Sequence, residues 1–164
     1  FFPGRLDLRI GKVVEAKRHP DADSLYLLQI ECGEDKPRTV CSGLVKYVPI
    51  EELENRLVVL LCNLKPVKMR GITSEAMVMC ASSENGVEVL SPPPNSTPGE
   101  PVECKGYESA PDRPFMNPKK KIFEAVAPEL HTNDMLQACY KDAPFEVAGK
   151  GYCVAKTLKN VPVK

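Results

Sequence analysis

Along the first two-thirds of the chain, apolar and polar residues alternate with the period of two that marks half-buried β-strands. Leu6, Leu8 and Ile10 alternate with Asp7 and Arg9, and Val13-Val14 carry the strand past Gly11. A glycine there predicts a bend or bulge of the kind small barrels use to turn corners. A second strand is predicted over residues 25–31, with Tyr26, Leu28 and Ile30 on one face. The turn chemistry of His19-Pro20-Asp21-Ala22-Asp23-Ser24 separates the two. Arg38 to Val40 open a third strand that ends near Gly43, and Pro49-Ile50-Glu51-Glu52-Leu53 reads as a short helix with proline in its first turn. The stretch from Arg56 to Asn63 contains an unbroken apolar run and reads as a buried strand. Residues 64–71 read as a basic loop, 76–81 as another strand, and Gly86 with Val87 and Val89 as a hairpin's return. About five short strands around one small helix, with no βαβ alternation, predict a closed or partly closed barrel.

The pattern changes after Pro92-Pro93-Pro94, Pro98-Gly99 and Pro101, which form a stiff connector. Asn117-Pro118 is a helix start, and that helix is expected to run through Ile122 and Phe123 and stop before Pro128. A second helix is expected from Thr132 or Asn133 to about Lys141. A terminal hairpin follows, from Phe145 through Gly149-Lys150-Gly151 to Ala155. The expected organisation is a barrel over residues 1–105 and a smaller α+β extension over 106–164 packed against it.

Composition narrows the class without naming a function. With 43% hydrophobic and 27% charged residues the chain is an ordinary globular one. No apolar run approaches the roughly 20 residues of a membrane-spanning helix, so no membrane partner is expected. The N-terminus has neither an initiating Met nor a signal-peptide pattern, so the chain reads as a fragment or processed product. Seven cysteines, odd in number and without a C-x-x-C pair, read as reduced, mostly buried thiols of a cytosolic protein and supply no zinc site. Asp21 and Asp23 begin like a calcium loop, but Leu25 and Tyr26 break the pattern. His19 and His131 stand far apart, no phosphate-cradling glycine loop is present, and no convergent set of catalytic groups appears. Neither catalysis nor a cofactor or metal is expected.

Charge is informative only locally. The 22 basic and 22 acidic residues cancel, so nothing global argues for a polyanion partner. Between residues 55 and 74, however, no carboxylate occurs, while Arg56, Lys65, Lys68 and Arg70 do. Three cations within six residues, with Pro66 to stiffen them and Met69 beside them, suit a phosphate-lined surface. They equally suit a solvated loop. Ser74 and Met77 flank the next strand start, where a hydroxyl reaches sugar or phosphate and a thioether lies on a base; Met77 fits core packing as well. Lys119-Lys120-Lys121 stand against the dipole at a helix start and either extend the basic surface or form a solvated face.

Taken together, His19-Pro20-Asp21-Ala22-Asp23-Ser24-Leu25-Tyr26, Ser42-Gly43-Leu44-Val45 and Asn63-Leu64-Lys65-Pro66 through Met77 resemble the tRNA-binding domain of the endothelial monocyte-activating polypeptide II family. Related modules are appended to some tyrosyl- and methionyl-tRNA synthetases. The resemblance continues through Pro118-Lys119-Lys120-Lys121 and Leu130-His131-Thr132-Asn133-Asp134 to Pro144-Phe145-Glu146-Val147, so it spans almost the whole chain. It implies an OB-fold that holds tRNA by shape and backbone, and a C-terminal part that replaces the second subunit of dimeric bacterial relatives, leaving the module monomeric. By matching positions it implies Ser74 and Met77 as the RNA-contacting pair, with Asn63, Lys65, Lys68 and Arg70 as the basic loop and Arg38 as a weaker candidate. The implied role is non-catalytic help to a cytoplasmic aminoacyl-tRNA synthetase, in cis or in a complex. Members of the family are also released by proteolysis as cytokine-like signals, and Arg9-Ile10-Gly11-Lys12-Val13-Val14 resembles the segment linked to that activity. Glu75 stands where relatives usually carry glutamine, and Cys41 where valine is common.

Overall fold

The computed structural model describes residues 1–164. Its first half contains β1 (Leu8–Arg18), β2 (Tyr26–Glu31), β3 (Arg38–Ser42), β4 (Leu57–Leu61), β5 (Val67–Met69), β6 (Ile72–Ser74), β7 (Met77–Val78), β8 (Cys80–Ser83) and β9 (Gly86–Val89). The rest contains β10 (Glu103–Cys104), the helix α1 (Ile122–Val126), β11 (Leu130–Thr132), β12 (Ala138–Tyr140), β13 (Ala143–Val147) and β14 (Gly151–Tyr152). The protein is mostly β, with one short α-helix and a nearly closed barrel, as the alternating pattern predicts and consistent with an OB-type domain.

The long strand β1 organises the barrel. Its first half pairs antiparallel with β4, from Leu8 opposite Leu61 to Lys12 opposite Leu57. Its second half pairs with β2, from Lys12 opposite Glu31 to Arg18 opposite Tyr26. The bend expected near Gly11 comes at a bulge between Val13 and Glu15, which leaves Val14 outward and exposed. Gly11 has a different reason to be glycine: a Cβ there would lie 2.6 Å from Ile30 Cγ2. The sheet runs β3-β2-β1-β4-β7. It curls back on itself because the Glu75 N–H donates to the Thr39 carbonyl at 2.8 Å, on the free edge of β3. Gly33 and Gly99 lie back to back with φ of +83° and +95°, each where a Cβ would strike the other's Cα, so the proline-rich connector can lie flat on the β2–β3 turn.

Two apolar cores explain why Leu57 to Cys62 is unbroken. Val58, Leu60 and Cys62 point into the barrel with Val13, Leu28, Ile30 and Val40. Val59 and Leu61 point the other way and join Leu8, Ile10, Ile122, Leu130, Phe145 and Val163 in a second, larger core. β4 is thus buried on both faces, the condition under which a strand loses its polar alternation. The C-terminal segment covers the barrel's outer face rather than standing apart from it. All seven cysteines are buried as free thiols, and burial pushes those of Cys80, Cys104 and Cys153 up to about 12.

Several elements differ from the sequence expectation. Residues 64–71 are not a loop: β5 and β6 pair from Val67 opposite Ser74 to Met69 opposite Ile72. Arg70 and Gly71, at φ of +50° and +88°, make the two-residue turn whose twist suits a hairpin. The strand expected over 76–81 breaks at Met79, whose N–H turns back to the Val59 carbonyl. The helix expected from Asn117 is two pieces, a 3-10 turn over Pro118–Lys120 and then α1, separated by Lys121 at φ +53°. Asn117 caps the first by accepting from the Lys119 N–H, as the motif predicts. The second expected helix does not form; its residues make the β11–β12 hairpin. Asn133 Oδ1 accepts from the N–H groups of both Met135 and Gln137, and Leu136 takes φ +67°. The Gln137 N–H, which a helix would have given to the Asn133 carbonyl, goes to the asparagine side chain instead, and Leu136 in the left-handed region turns the chain back.

Candidate nucleic-acid interface

The β5–β6 hairpin presents the basic residues on a short, stiff support. Lys65, Lys68 and Arg70 are exposed, and none of them forms an ion pair within the protein. Their charge is therefore available to a ligand. Beneath the hairpin lies an open cavity of about 430 Å³ lined by Leu44, Lys65, Val67, Ser74 and Met77 among others. Its walls are chiefly apolar, with two lysines, Lys65 and Lys164, among them, a combination that accommodates a base or ribose while the phosphate meets a cation. The turn that the histidine motif builds also anchors the hairpin. His19 Nδ1 accepts from the Asp21 N–H, which leaves Nε2 to donate to the Met69 carbonyl at 3.0 Å. His19 was legible as turn chemistry, but its grip on residue 69 was not.

The other residues singled out from sequence spend their polar atoms on the protein. Asn63 is fully buried. Its Oδ1 accepts from the Asp7 N–H, and its Nδ2 donates to the carbonyls of Arg5 and Asp112. It ties the start of the basic segment to both ends of the chain's outer layer. Ser74 is 7% exposed, and its Oγ accepts from the Cys41 N–H and donates to the Ala76 carbonyl. It closes the barrel beside the cavity that it lines. Met77 is half-buried, with one side on the larger core and the other on the cavity, so both of its sequence readings have a physical counterpart. Glu75 is exposed but drawn toward β3, where one carboxylate oxygen accepts from the Thr39 N–H at 2.8 Å.

Arg38 stands apart from the free cations of the hairpin. Its guanidinium makes two bonds to Glu34 and donates to the carbonyls of Cys62 and Glu75, fixing the turn between Ser74 and Met77. Glu34 also binds Arg9, Arg9 grips Asp7 with two bonds, and Arg113 reaches Asp7 at 2.9 Å. A continuous chain of charged contacts therefore runs from the connector beyond β10 to the rim of the cavity. Sequence reading missed Asp7 and Glu34; only the Asp7/Arg9 spacing on one strand face hinted at the first pair. Hydrogen bonds from Arg38, then the nearby positive charge, push the Glu34 carboxyl down to about 2 from an ordinary 4.5. A depressed carboxylate stabilises the fold above its unfolded pKa, and that contribution disappears as pH falls through the folded one. Urea midpoints of the wild type are thus expected to drop more steeply between about pH 4.5 and 2 than those of Glu34→Gln. Parallel curves for the two proteins would show that the network carries no pH-dependent stability.

Comparison with known proteins agrees with this geometry. Residues 8–101 match the family described as "Putative tRNA binding domain". The mouse aminoacyl tRNA synthase complex-interacting multifunctional protein 1 is 58% identical over 98% of this chain, which spans 51% of that protein. The cytoplasmic methionine–tRNA ligase of Caenorhabditis elegans is 51% identical over 98% of this chain, and the chain spans 17% of it. Among solved structures, the C-terminal domain of Plasmodium vivax p43 superposes with a TM-score of 0.91 at 35% identity, covering 98% of both chains. A MetRS related protein from Pyrococcus horikoshii matches 60% of this chain and 90% of its own, with a TM-score of 0.56 at 29% identity. The barrel strands, the basic hairpin and every residue lining the cavity except Lys164 lie inside the matched residues, and the chain belongs to this tRNA binding domain family.

Proposed function

We propose that this chain is a non-catalytic module that binds tRNA by shape and backbone, as a monomer in the cytoplasm, and assists an aminoacyl-tRNA synthetase in cis or in a complex. The observation that carries the reading is the rigid β5–β6 hairpin, with three cations unpaired within the protein beside an apolar cavity. Lys65, Lys68 and Arg70 supply phosphate contacts, Met77 and Val67 an apolar floor, and Ser74, Asn63 and Arg38 hold the floor in place. Three phosphate contacts imply a log–log salt slope of about −2 to −3. The division into a barrel over 1–105 and an extension over 106–164 belongs to the same reading. Its support is that the archaeal relative matches only 60% of this chain, while residues beyond 115 cover the outward face of Leu8, Ile10, Val59 and Leu61. In this reading the extension stands where a second subunit would. The cytokine-like alternative rests on residues 9–14, which lie in β1 with Ile10 and Val13 fully buried; while that strand stays paired, only Val14 and the partly exposed Arg9 and Lys12 are open to a partner.

The test is a titration of purified protein with total tRNA, and with a hairpin RNA of equal length, across a salt series. Preference for tRNA, with weaker binding by Met77→Ala, supports the module. Equal affinity for both RNAs overturns shape-directed binding. Within the same assay Glu75→Gln is informative, because an amide oxygen still accepts from Thr39 while the negative charge leaves the rim. It is expected to tighten tRNA binding about 2- to 5-fold at low salt, with the gain shrinking as screening grows. An unchanged affinity would mean that the carboxylate does not face the RNA.

A further inference from the structure

A second cleft opens on the other side of the basic hairpin. It has a volume of about 350 Å³, and its walls come from Pro66 and Val67 on one side and Asn117, Pro118 and Phe123 on the other. Leu64, Lys65 and Val67 line both this cleft and the cavity below Ser74, so the two lie on either side of the same three residues. Lys119, Lys120 and Lys121 follow directly from the cleft wall, all exposed, and none of them has an ion-pair partner in the protein. Two carboxylates stand nearby. Glu124 is exposed at the cleft, and Asp112 feels the charge of Lys120 but is itself bound by Arg5. Three consecutive like charges, none of them in an ion pair, repel one another, and an external polyanion reduces that cost.

We propose that this cleft is a second RNA-contact site, contributed by the C-terminal segment, that takes unpaired ribonucleotides. The inference rests on the tRNA-binding reading and extends it across both parts of the chain. A paired stem offers phosphates alone, and the lysines would be enough to meet it. The apolar walls would then stay unused, because bases in an A-form duplex are stacked away from the protein. An unpaired nucleotide uses both features: its phosphate meets the lysines, and its base lies against Phe123, Pro118 and Val67. The few polar groups along the walls predict tolerance of base identity. The RNA path is therefore expected to run from the Ser74–Met77 cavity over Lys65 into the cleft.

The experiment compares wild type, Lys119→Ala/Lys120→Ala/Lys121→Ala and Phe123→Leu, titrated with tRNA, with an unstructured RNA of about 24 nucleotides and with a duplex of about 12 base pairs, which carry nearly the same charge. The three lysines are exposed, and leucine keeps the packing of residue 123, so thermal melts serve as the folding control. Wild type is expected to prefer the single strand to the duplex at equal charge. The lysine variant should lose about tenfold in affinity for tRNA, with a salt slope shallower by about 1–2. Phe123→Leu should lose about fivefold on the single strand and little on the duplex. If the lysine variant binds tRNA as wild type does while Met77→Ala is weakened, the second site is wrong and the proposed function stands. If wild type shows no preference for tRNA, the proposed function itself fails. Equal loss on duplex and single strand would leave the lysines as phosphate contacts and overturn the unpaired-nucleotide assignment.

Discussion

Replacing the three hairpin cations together, as Lys65→Ala/Lys68→Ala/Arg70→Asn, is expected to weaken tRNA binding by about 10²-fold or more at near-physiological salt and to flatten the salt slope by about 2. The size follows from their freedom. Each side chain is exposed and bound to no carboxylate, so each can displace counterions from the RNA at no cost to an internal pair. The same freedom makes the variant a fair test, because nothing in either core touches these groups. Asparagine is chosen at position 70 because the turn holds it at φ +50°, a conformation asparagine tolerates better than alanine. A titration by fluorescence anisotropy across a salt series, beside a thermal melt, measures both quantities. An affinity within threefold of wild type, with an unchanged slope, would remove the hairpin from the interface.

The contrast with Arg38 shows where sequence reading stops. Lys65, Lys68 and Arg70 cluster within six residues and Arg38 stands on another strand, but nothing in the sequence says which of these cations is free. Separation comes from the folded partners: Glu34, four residues away, and the remote carbonyls of Cys62 and Glu75 engage Arg38, while the hairpin cations meet no acid. The barrel was legible because its signal is local, an alternation of side chains that any half-buried strand must show. The β11–β12 hairpin was not, because residues 132–141 carry polar and apolar residues that fit either period, and one asparagine side chain decides the outcome. Asn63 and Ser74 were singled out as candidate RNA-binding positions. Their geometry is that of scaffold, since a buried amide and a buried hydroxyl fully engaged by backbone groups have little left to offer a ligand. The matched motif thus mixes exposed cations left free for a ligand with buried residues that shape the surface.

The largest stability effect is expected from Phe145→Ala, at about 3–5 kcal/mol. Phe145 is fully buried on β13, opposite Cys104 of β10, in the core that also contains Leu8, Ile10, Val59 and Leu61 of the barrel strands. Removing its ring opens a void that the barrel's outer face shares, so the loss is not confined to the C-terminal segment. For a protein of this size the melting temperature should fall by roughly 10 °C. The more informative expectation concerns shape: the variant should still unfold in one transition, with barrel and C-terminal segment lost together, because β4 needs cover on both faces. Urea unfolding followed by far-UV circular dichroism, and in parallel by tRNA binding, distinguishes the cases. Two separated transitions, with tRNA binding surviving the first, would show that the barrel is stable without its cover. The extension would then serve some purpose other than completing the fold, and the Lys119–Lys121 cleft would be the first place to look for it.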